Sequence, residues 1–432
     1  MKVLIVGGGG REHALAWRLH QDDPTIQLYA APGNPGIAEL ATCIAIPATD
    51  VASLEAFARE TSIALTVIGP EASLAEGIVD RFRKSGLPIF GPTASAARIE
   101  TSKAFSKALM RDAGVPTARA ETCTSLASAL AAVERFGGAP VVIKASGLAA
   151  GKGVIVCMTE TEARGAIASM LEEHAFGEAG NTVLVEEFME GEELSLFAIT
   201  DGKRLVPLPA AQDHKRLLAG DEGPNTGGMG AYCPVSLVEQ APALIDDVVD
   251  RILLPTLSGL RARGAAFTGL LYAGVMLTDD GPKVVEFNCR FGDPETEAVL
   301  PCIRSATSML ELMTIVARGE PLPSDVRVEA VRHAVTTVVA ASGYPERPRG
   351  GDVITLPGAN EDVLVFHAGT KRSGDGALIT VGGRVLAITG LGDSFEEAQR
   401  RSRGFAAGVD FSGKQFRDDI GWRELARRAG TP

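Results

Sequence analysis

Two lysines and three glycines crowd one stretch of this sequence, Lys144-Ala145-Ser146-Gly147-Leu148-Ala149-Ala150-Gly151-Lys152-Gly153. The stretch departs from the P-loop template, because Ser146 stands where the first glycine belongs and Gly153 replaces the metal-binding hydroxyl. It also joins strand to strand. A glycine-rich hairpin can instead fold over a triphosphate. Lys144 then reaches the phosphates as a point charge, and Gly151, Lys152 and Gly153 form the covering turn. Downstream, Glu186-Glu187-Phe188 ends an apolar strand. Its backbone and carboxylates can meet an adenine edge, Phe188 offers apolar contact, and Glu192 is placed to hold ribose hydroxyls. A third group lies in Val284-Val285-Glu286-Phe287-Asn288-Cys289-Arg290-Phe291-Gly292-Asp293. Residues i and i+2 of a strand share a face, so Glu286 and Asn288 project together while Phe287 and Cys289 turn to the core. A carboxylate and an amide oxygen aimed at one point suit magnesium. The same face continues to Arg290. A plain solvated face is the competing reading.

The N-terminal glycines 7–10 invite a dinucleotide-binding reading, but the spacing fails. The third glycine position falls on Glu12 or His13, and the second strand ends without a carboxylate for a ribose. What remains is a glycine turn opening a helix, whose free amides can hold a phosphate or carboxylate with Arg11 adding charge.

The elements that must position these groups follow from periodicity. Over the first hundred residues, apolar runs at 3–6, 26–30, 65–68 and 89–90 alternate with helical patterns at 11–20, 51–60 and 74–84. That order gives an open parallel sheet with ligands at its carboxyl edge. This N-terminal parallel-sheet α/β domain is placed at 1–101. A mixed α/β region follows at 102–320. It has a helix at 102–113, strands at 141–144, 154–158 and 182–188, a helix at 161–173, a polar stretch at 212–232, and a hairpin of strands 269–278 and 282–290. The segment 321–323 reads as a linker, and a small β-rich domain is placed at 325–432. With 432 residues, 45% apolar and 22% charged, the chain has the composition of a globular protein. Its 42 basic against 54 acidic side chains give a net charge of −12, so its field repels nucleic acid and anionic lipid. No apolar run nears the ~18 residues that span a bilayer, and a cytoplasmic protein is expected. Six cysteines without a C-x-x-C pair are expected to be reduced and mostly buried.

Together these segments resemble the ATP-grasp superfamily and, within it, the phosphoribosylamine–glycine ligases. The resemblance is carried by Gly9-Gly10-Arg11-Glu12-His13-Ala14, Ala31-Pro32-Gly33-Asn34, Gly69-Pro70-Glu71, the 144–153 loop, Gln212-Asp213-His214-Lys215-Arg216, residues 223–232, residues 286–295 and Phe366-His367-Ala368-Gly369-Thr370, in order along nearly the whole chain. It implies an ATP-grasp domain of two α+β subdomains, with a mobile lid at about 117–192. It also implies ATP-driven joining of glycine to 5-phosphoribosylamine through glycyl phosphate, in purine biosynthesis. Lys103 and Lys144 would hold ATP phosphates, Glu186, Glu187 and Phe188 adenine, and Glu192 ribose. Glu286 and Asn288 would hold Mg2+ or Mn2+. Arg290, Asp213 and Asp293 would act at the reacting groups, and Gly10, Arg11, Glu12, Glu71 and Gly292 would join them around the substrates. Many relatives carry a further acidic metal ligand on the preceding strand, whereas Tyr272-Ala273-Gly274-Val275-Met276 has none. The glycine loop and residues 224–232 would close over the site, and the chain would work as a monomer. A sister ATP-grasp ligase or carboxylase, and a non-catalytic nucleotide-binding regulator, are the alternatives.

Overall fold

The computed structural model describes residues 1–148, 153–173 and 175–430. The N-terminal alternation forms a five-stranded, all-parallel sheet. Its strands, in spatial order, are Thr42–Cys43, Gln27–Pro32, Lys2–Gly7, Leu65–Ile68 and Ile89–Phe90. Thr42–Cys43 escapes the sequence reading because two residues carry no period. The expected helix at 74–84 is two helices, Glu71–Ala75 and Ile78–Lys84, because Gly77 between them takes φ +76°. That left-handed conformation ends one helix and lets the next set off in a new direction.

Two antiparallel sheets follow. One orders Ala120–Cys123, Val183–Glu187, Val141–Ala145 and Val154–Cys157. The helices Leu126–Arg135 and Glu160–Leu171 cover it, and all share a core of their own around Val141, Ile143, Ile167 and Val185. The other orders Leu205–Pro207, Glu192–Thr200, Gly269–Thr278 and Gly281–Asn288. The hairpin 269–288 turns where Asp280-Gly281 predicts. A bridge between Thr117 and Val284 joins the two sheets, with Thr117 Oγ1 donating to the Val284 carbonyl at 2.7 Å.

The third sheet departs most from the sequence reading. Its strands are Gln212–Asp213, Gly230–Cys233, His333–Ala340, Arg384–Gly392 and Val363–His367, so the polar stretch supplies two strands to the C-terminal sheet. The helix Phe395–Gly408 covers one face. Residues 321–323 are no free linker: Leu322 is fully buried, its amide donates to Asp201, and its carbonyl accepts from Arg204. Five cysteines are buried and Cys43 is half-buried, all of them unpaired. Among the described residues, no helix is long and apolar enough to cross a membrane.

Candidate active site

A cleft of about 810 Å³ opens between the two antiparallel sheets, with the N-terminal loops and the third sheet at one end. One wall carries Val142, Lys144, Val154, Val156 and Glu186–Phe188; the other carries Met276 and Val285–Asn288. The lining includes an apolar slot of Phe188, Val154, Val156 and Met276 as well as the charged groups.

Alternation puts Glu286 and Asn288 on one face, but a β-bulge decides that this face is the cleft. Val284 pairs with Val275 and Glu286 with the next residue, Gly274, so Val285 is an extra residue in its strand. Strict alternation from the buried Val284 would drive Glu286 into the core. The bulge resets the phase, leaving Phe287 and Cys289 buried while Glu286 and Asn288 line the cleft. It also frees the Val285 carbonyl, which accepts from Lys144 Nζ at 3.1 Å. Among the described residues, neither the Glu286 nor the Asn288 side chain has a hydrogen-bond partner. Burial works against the Glu286 charge, but Lys215, Lys144, Lys103 and Arg290 hold its carboxyl below the ordinary range.

Lys144 is 4% exposed and pairs with Glu186 Oε2 at 2.9 Å. Lys107 approaches the same oxygen at 3.3 Å, and Glu186 Oε1 has no partner. Lys107 stands one helical turn beyond Lys103, so the helix Lys103–Ala113 presents both amines to the cleft. Burial lowers the Lys107 pKa to about 8 against the pull of Glu186. Lys103 is fixed at its backbone, its amide donating to the Ser146 carbonyl at 2.8 Å. Burial lowers the Lys103 pKa as well, although Glu286 supports the charge.

At the other end Arg290 is braced from both sides. Nη2 lies 2.9 Å from Glu100 and Nε 3.3 Å from Glu71. Burial opposes its charge, but these two carboxylates hold it well above the usual guanidinium range. Asp293 pairs with Arg384 at 3.0 Å. Arg384 also donates to the carbonyls of Gly227 and Asp293, and Tyr344 Oη accepts from the Gly227 amide. Gly228 has φ +108°, and a Cβ there would fall 2.5 Å from Pro294, so only glycine lets these loops touch. Residues 226–230 are therefore anchored against the third sheet and its loops. Asp213 sits between Lys215, Glu295, Glu193 and Glu286. Burial and the three carboxylates outweigh Lys215 and push its pKa up to about 8.

Of the residues singled out from sequence, Arg11, Glu71, Lys103, Lys144, Gly153, Glu186, Glu187, Phe188, Glu192, Asp213, Glu286, Asn288, Arg290 and Asp293 line one cleft. Gly151 and Lys152 lie outside the described residues. Gly10, Glu12 and Gly292 do not line it. Glu12 braces the glycine turn, accepting from Gly9 N at 2.5 Å and from Arg11 Nε at 2.7 Å. Gly10 packs on Glu297, and Gly292 packs on Glu295. Glu187 lines the cleft but pairs outward with Arg119. Sequence reasoning missed Lys107, Lys215, Arg384 and Arg423. The four-residue step from Lys103 could have found Lys107. Arg384 and Arg423 reach the cleft through long-range packing that no local pattern announces.

Comparison with known proteins bears on the same segments. Family models of phosphoribosylglycinamide synthetase match in chain order, the N domain over 1–100, the ATP-grasp (A) domain over 101–296 and the C domain over 334–423. A phosphoribosylamine–glycine ligase of Ralstonia nicotianae is 49% identical, covering 99% of this chain and 100% of that protein. The crystal structure of the phosphoribosylamine–glycine ligase of Thermotoga maritima is similar at TM-score 0.84 and 35% identity, over 97% of this chain and 100% of that one. The biotin carboxylase of Campylobacter jejuni, at 16% identity and TM-score 0.71 over 96% and 92% of the two chains, shares the fold alone. Matched by all three domain models and by a relative over nearly its full length, the chain belongs to the phosphoribosylamine–glycine ligase family.

Proposed function

We propose that the cleft joins glycine to 5-phosphoribosylamine, with ATP converted to ADP and phosphate, giving glycinamide ribonucleotide. The chain is an ATP-dependent carbon–nitrogen ligase of purine biosynthesis. One observation carries the site reading: a buried lysine on one sheet and a carboxylate–amide pair on the other open onto a single cleft beside an apolar slot. That layout suits a triphosphate laid between the sheets. In this reading the chain divides into 1–101, 102–320 and 325–432, with 117–192 as the lid. The separate core of the lid sheet supports a unit that moves as one body.

Glu286 and Asn288 fit a divalent cation, because one is held ionised, both lack protein partners among the described residues, and both offer hard oxygen. Magnesium or manganese bound there would neutralise phosphate charge. Among the described residues, no group of three or more His, Cys, Asp or Glu is poised for a metal, so phosphate and water would complete the shell. Lys103, Lys144 and residues 151–153 hold the phosphates, Glu186–Phe188 the base, and Glu192 the ribose. Asp213 and Asp293 face the glycine ammonium, while Arg290 faces its carboxylate. Gly10, Arg11, Glu12, Glu71 and Gly292 shape the side toward the ribosylamine.

A glycine carboxylate oxygen attacks the γ-phosphorus in line, the bond to the bridging oxygen breaks, and ADP leaves with the electron pair. The ribosylamine nitrogen then attacks the acyl carbon, phosphate departs, and the nitrogen loses a proton. The protein's share is positioning and charge stabilisation, and closure keeps water from the acyl phosphate. Coupled measurement of ADP release tests the reading, with turnover expected only when glycine and phosphoribosylamine are both present. Bicarbonate-dependent turnover would instead make the chain a carboxylase, and tight ATP binding without turnover a regulator.

A further inference from the structure

The helix Trp422–Arg428, whose first two residues end the segment matched by the C-domain model, places Arg427 against Glu192, a residue of the cleft lining. Arg427 Nη1 donates to Glu192 Oε2 at 2.7 Å. Its other nitrogens are committed as well. Nη2 donates to Gln212 Oε1 at 3.1 Å, Tyr232 Oη at 2.9 Å and Glu424 Oε2 at 2.9 Å, while Nε donates to Ser236 Oγ at 3.3 Å. The guanidinium is thus held in one orientation by four side chains besides Glu192. Glu192 is in the opposite situation. Its side chain is 38% exposed, it sits on the rim of the cleft beside the apolar slot, and Oε1 has no partner among the described residues. Gln212 Nε2 adds a longer contact to Oε2 at 3.2 Å.

We infer that Arg427 is a positioning residue for ribose recognition: it clamps one oxygen of Glu192 so that the other is presented, fixed, to a ribose hydroxyl of ATP. The inference rests on the reading of Glu192 as the ribose ligand. A carboxylate on a rim explores several rotamers, and a planar guanidinium already locked by other partners removes that freedom before the nucleotide arrives. The constraint acts on one hydroxyl contact and leaves the phosphates and the acyl transfer untouched. Loss of Arg427 therefore reduces the preference for ATP over its deoxy analogues rather than turnover itself. Replacement by methionine leaves Tyr232 bonded to Gln212, and Glu424 bonded to Arg428 and Ser236, so the helix keeps its anchors.

The test is kcat/KM for ATP, 2′-deoxy-ATP and 3′-deoxy-ATP in the full chain and in Arg427→Met, Arg427→Lys, Glu192→Gln and the Glu192→Gln/Arg427→Met double variant, with folding checked by thermal unfolding. The expected result in Arg427→Met is a roughly tenfold or greater loss of preference for ATP over the analogue lacking the recognised hydroxyl, the scale of a lost hydrogen bond to a charged acceptor. kcat at saturating ATP and KM for glycine stay near their original values, Arg427→Lys is intermediate, and the double variant is no worse than Glu192→Gln alone. If Glu192→Gln keeps the preference, the ribose reading of Glu192 itself fails. If Glu192→Gln loses it while folded Arg427→Met and Arg427→Lys both keep it, the positioning role is overturned. Equal losses with all three nucleotides, tracking a lower unfolding temperature, would overturn it too by making Arg427 purely structural.

Discussion

The Arg290 guanidinium reaches the cleft only because Glu71 and Glu100, from two other elements, hold it there. Its replacement therefore removes a preorganised charge rather than a flexible one. Arg290→Ala is expected to lower kcat by roughly 10²–10³, about 2.7–4 kcal/mol of transition-state stabilisation. Measurement at saturating substrates on protein shown to be folded decides this, and unchanged turnover would take Arg290 out of the reaction. With Asp213 and Asp293 bounding the acceptor end, alanine should replace glycine poorly, by about 1–3 kcal/mol in kcat/KM for one added methyl. Equal rates for the two amino acids would mean an open pocket. At this scale the sequence was informative where chemistry follows a strand's alternation: Glu286, Asn288, Phe287 and Cys289 could be assigned to faces directly. Lys215 and Arg384 could not, because their placement beside Glu286 and Asp293 depends on contacts between distant segments.

Among the elements, the strand Gly281–Asn288 and the loop at 226–228 carry most of the consequences. The paired valines 284 and 285 break alternation in the sequence, which is the one local sign of the bulge that turns Glu286 toward the cleft. The loop has no such sign. Its position comes from Arg384 on the strand Arg384–Gly392, which grips Gly227 and pairs with Asp293. Arg384→Met should release this loop and leave Asp293 without its partner, at a stability cost on the order of 1–3 kcal/mol. It should also make the loop more open to proteolysis while the circular dichroism of the fold is unchanged. A variant as resistant to cleavage as the parent would show that backbone pairing alone suffices. The helix expected at 74–84 shows the limit of periodicity, since its apolar spacing continued across Gly77 although the backbone did not.

Over the whole molecule, three histidines are buried between units and kept neutral. Burial, then the charge of His367, lowers the His13 pKa to about 3. Burial, then Arg417, lowers His214 to about 3, and burial, then Arg372, lowers His367 to about 4. In the unfolded chain each imidazole returns to about 6.5 and binds a proton that the fold refuses. Their contribution is fully present above pH 6.5 and is lost progressively as pH falls toward 4 and then 3, on the order of 2 kcal/mol each at pH 5. In the folded chain all three imidazoles should therefore still be neutral at pH 5, read as NMR ring shifts that do not titrate between pH 7 and pH 5; a ring that titrates near 6.5 would contradict neutral burial. The broad plan was legible because a parallel β-α alternation, a glycine hairpin and a turn at Asp280-Gly281 are local signals. The C-terminal sheet was not, because it takes Gln212–Asp213 and Gly230–Cys233 from far upstream. That loan has a kinetic consequence during synthesis. The segment bearing Asp213 leaves the ribosome well before the strand His333–Ala340 that pairs with its neighbour. Nascent chains halted before that strand should hold a folded first sheet and an acceptor end still unformed.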